Sequence, residues 1–358
     1  MEPIRVGVVM GGTSSEREIS LSSGDAVAEA LERRGHDVVR IVLGNGVDAL
    51  DSLAAADMDA AFLALHGRQG EDGCVQGILE MIGVPYTGSG VLASALAMDK
   101  VKSKELFRLH NIGTPPYYVI QREQLDAGEE LESVHGSFGF PVVVKPRREG
   151  SSVGVCKASN MKELAIAVEE ALLYDESVLV ERFIKGTEVA VALLDGKVLG
   201  SIEIVPDGEL FDFGSKYRSS KTEYHLPARI SEARLHGIFH LAERAAEALD
   251  VRGPARVDMI LTEGMNEYVL ELNTLPGMTE RSLFPRVAAS AGYDFDSLCE
   301  QILAGARLDS GLKLETIGRR GLASEPNIWQ EIEFEESELA WMPSSGRSKS
   351  AEVGQKAG

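Results

Sequence analysis

Cysteine is scarce: Cys74, Cys156 and Cys299 lie far apart, with no Cys-x-x-Cys pair among them. That spacing excludes a disulfide framework and a zinc knuckle, and it fits a reducing, cytoplasmic compartment. Long apolar runs are missing too, none approaching the roughly 18 residues that a membrane span needs. After Met1-Glu2-Pro3 the chain enters an apolar strand that stops at Gly11, too short for the core of a secretory signal, so a soluble protein is expected. Positive charge is in deficit, 36 Lys and Arg against 56 Asp and Glu, which leaves a net charge of -20. Nucleic acid and anionic membranes both demand a basic surface, so neither is expected as a partner. An anionic ligand must then be held by local clusters, and three are present: Lys100/Lys102/Lys104, Lys145/Arg147/Arg148 and Lys216/Arg218/Lys221.

A chain of 358 residues exceeds what one core usually accommodates, and two or three domains are expected. Residues 4–10 form a continuous apolar strand, as in a parallel sheet buried on both faces. Gly11-Gly12-Thr13 turns the chain, Ser15 and Glu18 match a capping box, and a helix is predicted to run to Arg34 before Gly35, with Glu16 at its mouth. Strands at 38–43 and 60–65 and a helix at 74–82 closed by Gly83 complete a small doubly wound α/β unit. Gly88-Ser89-Gly90-Val91-Leu92-Ala93 imitates a dinucleotide fingerprint, but a helical stretch over 92–109 replaces the second strand and acidic residue that the fingerprint requires. A glycine turn opening a helix suffices.

Past Pro115-Pro116, a strand at 178–184 precedes an antiparallel series: 189–194, a turn at Asp195-Gly196, then 198–204. Residues 206–227 lack periodicity and predict a mobile loop, and 231–249 forms an amphipathic helix. After Leu308 the composition becomes acidic, and the last fifteen or so residues are expected to be disordered. Both tryptophans, Trp329 and Trp341, lie in that tail, which either docks them on the body or extends into solvent.

Two stretches carry chemistry. Residues 142–155 read as strand, polar turn, strand, with Lys145 at the first strand's exit and Gly150 and Gly154 bracketing Ser151 and Ser152. Glycines let backbone N-H groups approach an anion, serines add hydroxyl donors, and the lysine supplies a point charge, so the pattern fits a flap over phosphate. A solvated hairpin turn is the plain alternative. The second stretch is a hairpin, 255–261 and 268–273, whose turn at 263–266 would pair Thr262 with Glu267, Asp258 with Glu271 and Arg256 with Asn273. Two facing carboxylates about 5 Å apart repel by about 3 kcal/mol at an effective dielectric of about 20. A cation must compensate them: either magnesium, for which Asp258, Glu271 and Asn273 are hard oxygen ligands, or Arg256 as a salt-bridge partner. The adjoining Gly277 N-H, and a helix start that Ser282 is predicted to cap, add donors suited to an oxyanion and a carboxylate.

Gly-Gly-Thr-Ser-Ser-Glu-Arg-Glu (11–18), Leu-His-Gly-Arg-Gln-Gly-Glu-Asp-Gly (65–73), Tyr-Thr-Gly-Ser-Gly (86–90), Met-Asp-Lys (98–100), Arg-Glu-Gly-Ser-Ser-Val-Gly (148–154) and Glu-Leu-Asn-Thr-Leu-Pro-Gly-Met-Thr (271–279) occur in that order. Together they resemble the D-alanine:D-alanine ligases of the ATP-grasp superfamily, from about residue 4 to 308. The resemblance implies α/β and α+β architecture in three parts: an N-terminal doubly wound parallel-sheet domain (1–98), a central subdomain (99–184) and a C-terminal subdomain (185–308) with a lid at 206–227. ATP would lie between two antiparallel-sheet domains with two magnesium ions, manganese able to substitute, and the acidic tail (309–358) would lie outside.

The implied reaction phosphorylates one D-alanine carboxylate and lets a second D-alanine's amine attack the acyl phosphate, for peptidoglycan precursor synthesis. Carried over, Glu16 would hold the first ammonium with Ser151 and Tyr217 in its hydrogen-bonded group and His66 nearby. Lys100, Lys145 and Lys216 would contact phosphates with Ser151 and Ser152 of the flap, Glu181, Phe183 and Ile184 the adenine, and Glu188 the ribose. Asp258, Glu271 and Asn273 would ligate magnesium, Arg256 and Gly277 N-H stabilise the oxyanion, and Ser282 and Leu283 receive the second carboxylate. A homodimer is expected. Bland readings of single residues stand beside these: Glu16 as a complement to its helix dipole, His66 as scaffold, Lys100 as a surface lysine, Glu188 as a strand cap. The lid lacks the tyrosines and Glu-Ala pair usual before Lys-Tyr, and Glu280-Arg281 puts two charges beside the second-substrate site. His225 near the lid keeps a D-lactate (or D-serine) ligase as an alternative, and a non-catalytic ATP-binding regulator is the other.

Overall fold

The computed structural model describes residues 2–44, 46–208, 221–264, 266–279 and 281–309. Strands β1 (Arg5–Gly11), β2 (Asp37–Leu43) and β3 (Ala60–Leu63) form a parallel sheet in the order β2-β1-β3. Val6, Val8 and Met10 pack on helix α1 (Arg17–Arg33), whereas Val9, Ile41 and Leu63 pack on the other side with Leu53 of α2 (Val47–Ala55) and Leu79 of α3 (Cys74–Ile82). A strand apolar on both faces needs cover on both, and each such aliphatic side chain contributes about 1.5–3 kcal/mol by burial. The doubly wound arrangement read from residues 4–10 is therefore present.

The expected Ser15 capping box is not. Glu16 takes the cap position of α1 without a side-chain cap bond, and its N-H donates to Ser14 Oγ at 3.2 Å. Ser14 is fixed in turn by donating to the His66 carbonyl at 2.7 Å. A tertiary partner has displaced the local cap, which turns the Glu16 carboxylate toward the flap.

The predicted helix over 92–109 is two helices, α4 (Val91–Met98) and α5 (Lys100–Leu109). Asp99 divides them: its carboxylate accepts from the N-H groups of Val101 and Lys102, both at 3.1 Å, and from Arg147 Nε at 2.7 Å. Burial alone would raise the Asp99 pKa, but Arg147 and these N-H groups hold it below the usual range. The turn that opens α4 meets a carboxylate from the far end of the described chain. Val91 N-H donates to Asp309 Oδ2 at 3.1 Å, and Arg252 Nη2 lies 3.2 Å from Oδ1. Asp309 thus occupies the helix terminus where a dinucleotide would place its pyrophosphate.

A second sheet is antiparallel. It comprises β4 (Tyr117–Gln121), β5 (Val142–Pro146), β6 (Cys156–Ala158) and β7 (Ser177–Arg182) in the order β4-β7-β5-β6. Short helices α6 (Arg122–Asp126) and α7 (Leu131–His135) follow β4, and α8 (Met161–Ala171) lays Leu164 and Val168 on Val142, Val144 and Val180. The return strand of the flap starts at Cys156, just past the 142–155 stretch read as strand, turn, strand, because Ser151 (φ 46°), Ser152 (φ 57°) and Gly154 (φ 65°) hold the left-handed backbone of a turn.

The third sheet contains β8 (Thr187–Leu194), β9 (Lys197–Val205), β10 (Glu223–His225), β11 (Pro254–Leu261) and β12 (Glu267–Asn273), in the order β10-β9-β8-β11-β12. The Asp195-Gly196 turn has φ of 49° and 73°, as a tight hairpin requires. One face packs Val191, Val257 and Met259 on Ile238 and Ala242 of α9 (Glu232–Ala248). The other joins α10 (Leu283–Ser290) and α11 (Phe295–Ala304) to the α1 side of the parallel sheet through Phe284, Val287 and Ile302. β10 corrects the reading of 206–227 as wholly aperiodic: Tyr224 pairs with Ile204 on the sheet edge, a strand too short for period-2 alternation to be visible. Lys216, Tyr217 and the rest of 209–220 lie outside the described residues, as do Glu280 and the tail from residue 310 with Trp329 and Trp341.

Asp309, the first residue of the expected tail, is part of the body. Replacing it, Asp309→Ala, should lower stability by about 1 kcal/mol, measured by urea unfolding; an unchanged midpoint would show that the contact contributes nothing.

Candidate active site

The ribbon of β11 and β12 organises the site. Arg256 pairs with Asn273 and Asp258 with Glu271, as the sequence predicts, but Leu261 rather than Thr262 faces Glu267. The turn is one residue longer, with Thr262 N-H bonded to the Asn266 carbonyl at 2.9 Å, and a bulge beyond Asp258 restores the register. Two errors of one residue cancel where the chemistry lies. Arg256 grips Asp258 with two bonds, Nε to Oδ1 at 2.7 Å and Nη2 to Oδ2 at 2.8 Å, and Asn273 Nδ2 donates to Asp258 Oδ2 at 3.2 Å. Lys100 Nζ stands 3.2 Å from Glu271 Oε2. The cationic compensation that facing carboxylates demand is thus supplied by Arg256 and Lys100. Among the described residues no group of three His, Cys, Asp or Glu side chains is arranged to hold a metal, and the proposed ligand set includes an amide.

Two cavities meet at this ribbon. The first, of 590 Å³, collects Lys100, Lys145, Ser152, Glu181, Phe183, Ile184, Glu188, Asp258 and Glu271. Its floor is ionic: Lys145 Nζ lies 2.8 Å from Glu181 Oε2, and Lys100 Nζ donates to the Glu149 carbonyl at 2.7 Å. Lys100 is therefore buried and engaged, not a surface lysine. Burial opposes the Lys145 charge, but Glu181 and Glu271 outweigh it and hold the pKa above the ordinary value. Phe183 stacks under Lys157, whose Nζ is 4.4 Å from the ring centre, which gives the cavity one apolar wall.

The second, of 580 Å³, collects Glu16, His66, Ser151, Arg256, Asn273, Gly277, Ser282 and Leu283. Ser151, expected at both ligands, lines this cavity and not the first, and its hydroxyl donates to Glu16 Oε1. Gly150 permits the approach, since a Cβ there would stand 2.4 Å from Glu16 Oε2. Ser282 heads α10, but its Oγ accepts from Thr279 N-H at 3.1 Å instead of capping the helix, which folds the Gly277 loop against the helix start. His66 lines this cavity and is held in place: burial keeps its pKa below the ordinary value, the Leu275 backbone bonds its ring, and Ser23 Oγ lies 3.4 Å from Nε2. Ser23 Oγ also accepts from Met278 N-H at 3.3 Å, so α1 and His66 together hold the 275–278 loop.

Glu71 also belongs to the second cavity, and sequence reasoning passed it over. It lies in a polar Gly-Glu-Asp-Gly run that looks like surface loop, yet it is buried, with Oε2 accepting from Gly67 N-H at 2.6 Å. Burial, and then the neighbouring Glu16 charge, push its carboxyl up to about 8. His225, the residue that kept an ester-forming relative open, lines neither cavity and lies 3.6 Å from Glu223.

Comparison with known proteins agrees with this geometry. Residues 106–304 match the family described as "D-ala D-ala ligase C-terminus" and residues 45–89 the one described as "D-ala D-ala ligase N-terminus". A "D-alanine--D-alanine ligase" of Geobacter sulfurreducens is 48% identical over 310 residues, 86% of this chain and 96% of that protein. The solved Bacillus anthracis D-alanine--D-alanine ligase complexed with ATP superposes with a TM-score of 0.74 at 36% identity, covering 85% of this chain and 97% of its own. The VanG D-Ala:D-Ser ligase of Enterococcus faecalis gives 0.72 at 29% identity, covering 84% and 98%.

A carboxyl raised from 4.5 to about 8 makes the folded protein hold a proton that the unfolded chain releases, so its contribution to stability falls as pH rises from about 4.5 to 8. Glu71→Gln, which cannot ionise, should lack that fall. Melting temperatures of both proteins at pH 5, 6.5 and 8 check this: the wild type should lose ground to the variant at each step, and a constant difference would contradict the shift.

Proposed function

The chain belongs to the D-alanine–D-alanine ligase family, and from that premise we propose that it joins two D-alanine molecules into D-alanyl-D-alanine, with cleavage of ATP to ADP and phosphate, for peptidoglycan precursor synthesis. The observation that carries the reading is the ribbon at the seam of two cavities. Asp258 and Glu271 line one and Asn273 the other, so a phosphoryl group from the first can reach a carboxylate held in the second.

In this reading ATP lies in the first cavity. Lys100 and Lys145 take its phosphates with Ser152 of the flap, Glu181, Phe183 and Ile184 its adenine, and Glu188 its ribose. The second cavity receives both amino acids. Glu16, oriented by Ser151, holds the first ammonium, and the first carboxylate oxygen attacks the γ-phosphorus as ADP leaves. The second substrate's neutral amine then adds to the acyl carbon, Arg256 and the Gly277 N-H bind the oxyanion, and phosphate departs with the oxygen it received and the proton that the nitrogen gives up. Ser282 and Leu283 hold the second carboxylate at the start of α10, while Lys216 and Tyr217 act from the lid. An acyl phosphate is lost to water in an open site, which gives the lid its purpose.

The donors Asp258, Glu271 and Asn273 are hard oxygens on paired strands, a set that fits Mg²⁺, and Mn²⁺ has the same preference. Two such ions would neutralise the β- and γ-phosphate charge. Three domains divided near residues 98, 184 and 308, a cytoplasmic homodimer and freedom from nucleic acid and membrane complete the proposal; no helix among the described residues is long and apolar enough to cross a membrane. An amine acceptor is favoured over D-lactate because His225 stands outside both cavities.

ADP release with D-alanine alone, and with D-alanine plus D-lactate or D-serine, tests the acceptor when products are identified by mass. D-alanyl-D-alanine should dominate near neutral pH, and an ester or mixed dipeptide in excess would overturn the assignment. ATP binding without turnover under every condition would make the protein a regulator. Glu271→Gln should lower kcat at least 100-fold, about 2.7 kcal/mol of transition-state stabilisation, while D-alanine binding measured by calorimetry changes little.

A further inference from the structure

Lys104 is fully buried on α5, at 0% exposure, in neither cavity. It shares the inward face with Val101 and Phe107, a position where an apolar residue would pack at no electrostatic cost. Its ammonium instead lies 2.8 Å from Glu181 Oε1 and donates to Thr114 Oγ1 at 2.6 Å. Glu181 spends its second oxygen on Lys145, which lines the nucleotide cavity. The carboxylate therefore sits between two lysines, one sealed behind it and one facing the ligand.

We propose that Lys104 is a positioning residue for nucleotide binding: by engaging Glu181 from behind, it leaves the positive charge of Lys145 available to the phosphates of ATP. The inference rests on the assignment of the first cavity to ATP. With Lys104 charged, the trio of Lys104, Lys145 and Glu181 has a surplus of one positive charge, and the cavity is where it can be matched. Without that charge, Lys145 and Glu181 neutralise each other, and the lysine is drawn back to a carboxylate that has no other cation among the described residues.

That amine titrates in an accessible range. Burial, opposed by Glu181, lowers its pKa to about 8; Lys145 from β5 lowers it further and Glu271 from β12 raises it, with the Thr114 hydroxyl the neutral neighbour. Below that value Lys104 is charged and the surplus exists; above it the surplus is lost, and nucleotide affinity should fall.

The test is calorimetric titration of the full chain with ATP and Mg²⁺ from pH 7 to 9, alongside steady-state kinetics. The wild type should lose affinity several-fold through about pH 8. Lys104→Met should raise the KM for ATP about tenfold at pH 7, leave the KM for D-alanine unchanged, and flatten the pH dependence. Thr114→Val retains the lysine but removes a partner of its charged form, so it should move the fall to lower pH. Affinity constant from pH 7 to 9 in the wild type, an unmoved midpoint in Thr114→Val, or a Lys104→Met variant with the wild-type KM and profile would each overturn the proposal. If Lys104→Met does not fold, the other two measurements decide. D-alanine-dependent ADP release by the wild type, run in the same series, tests the ligase reading separately.

Discussion

Compensation of like charge at close range is the constraint on which the site depends. Asp258 and Glu271 are held opposite each other by strand pairing, and the backbone cannot relieve their repulsion without losing the ladder. Arg256 and Lys100 answer it, each coming from a different direction: one from the same strand, the other from the first residue of α5. Lys100 is placed there because Asp99 begins a new helix, and Asp99 begins it because Arg147 and the helix N-H groups keep its carboxylate ionised. A single acidic residue between two helices thus decides where a cation meets the ribbon.

The flap obeys the same logic with different means. Its base is pinned by Lys100 on the Glu149 carbonyl and by Arg68, whose Nε lies 2.8 Å from Glu149 Oε1. Its tip carries two non-glycine residues in left-handed conformation, Ser151 and Ser152, which cost of order 1 kcal/mol or more each. What over-determines the tip is the Glu16 carboxylate, which receives the Ser151 hydroxyl and stands where a side chain on Gly150 would be. The left-handed pair sends Ser151 to one cavity and Ser152 to the other, and adjacent serines in an extended strand would also diverge; the tight turn adds the return of the chain to β6.

Much of this was legible in the sequence because periodicity and motif spacing are local. The apolar run at 4–10, the Asp-Gly turn at 195–196 and the glycine that ends α3 follow from short-range rules, whereas the Arg256–Asn273 and Asp258–Glu271 pairs come out right only because a turn one residue too short is offset by an unforeseen bulge. What was not legible depended on distant partners. Ser15 has the right spacing for a cap, but Ser14 is tethered by the His66 carbonyl, 52 residues away in the chain, and takes the N-H. Glu71 reads as a surface acid until the Gly67 N-H and the second cavity enclose it. Lys104 had a visible signal, a lysine in register with Val101 and Phe107, but cluster composition alone grouped it with Lys100 and Lys102 as one basic patch. The three separate in space: Lys102 pairs with Glu105 at the surface, Lys100 meets the ribbon, and Lys104 is sealed behind Glu181.

The overall charge makes that separation consequential. A chain with a net charge of -20 repels a polyanion at a distance, but salt limits the repulsion to a Debye length of about 8 Å at physiological ionic strength. Inside a cleft the near charges decide, and at the ribbon and beside Glu181 they come in pairs: Arg256 against Asp258, Lys100 against Glu271, Lys145 against Glu181. Each pair is neutral by itself. Lys104 adds a second cation to the last of them, and burial determines where its effect is felt, because an ammonium hidden from water acts chiefly through the carboxylate it touches. An acidic surface and a cleft of paired charges are therefore compatible: the first acts through a repulsion that salt screens, and the second acts only on an anion that has already entered.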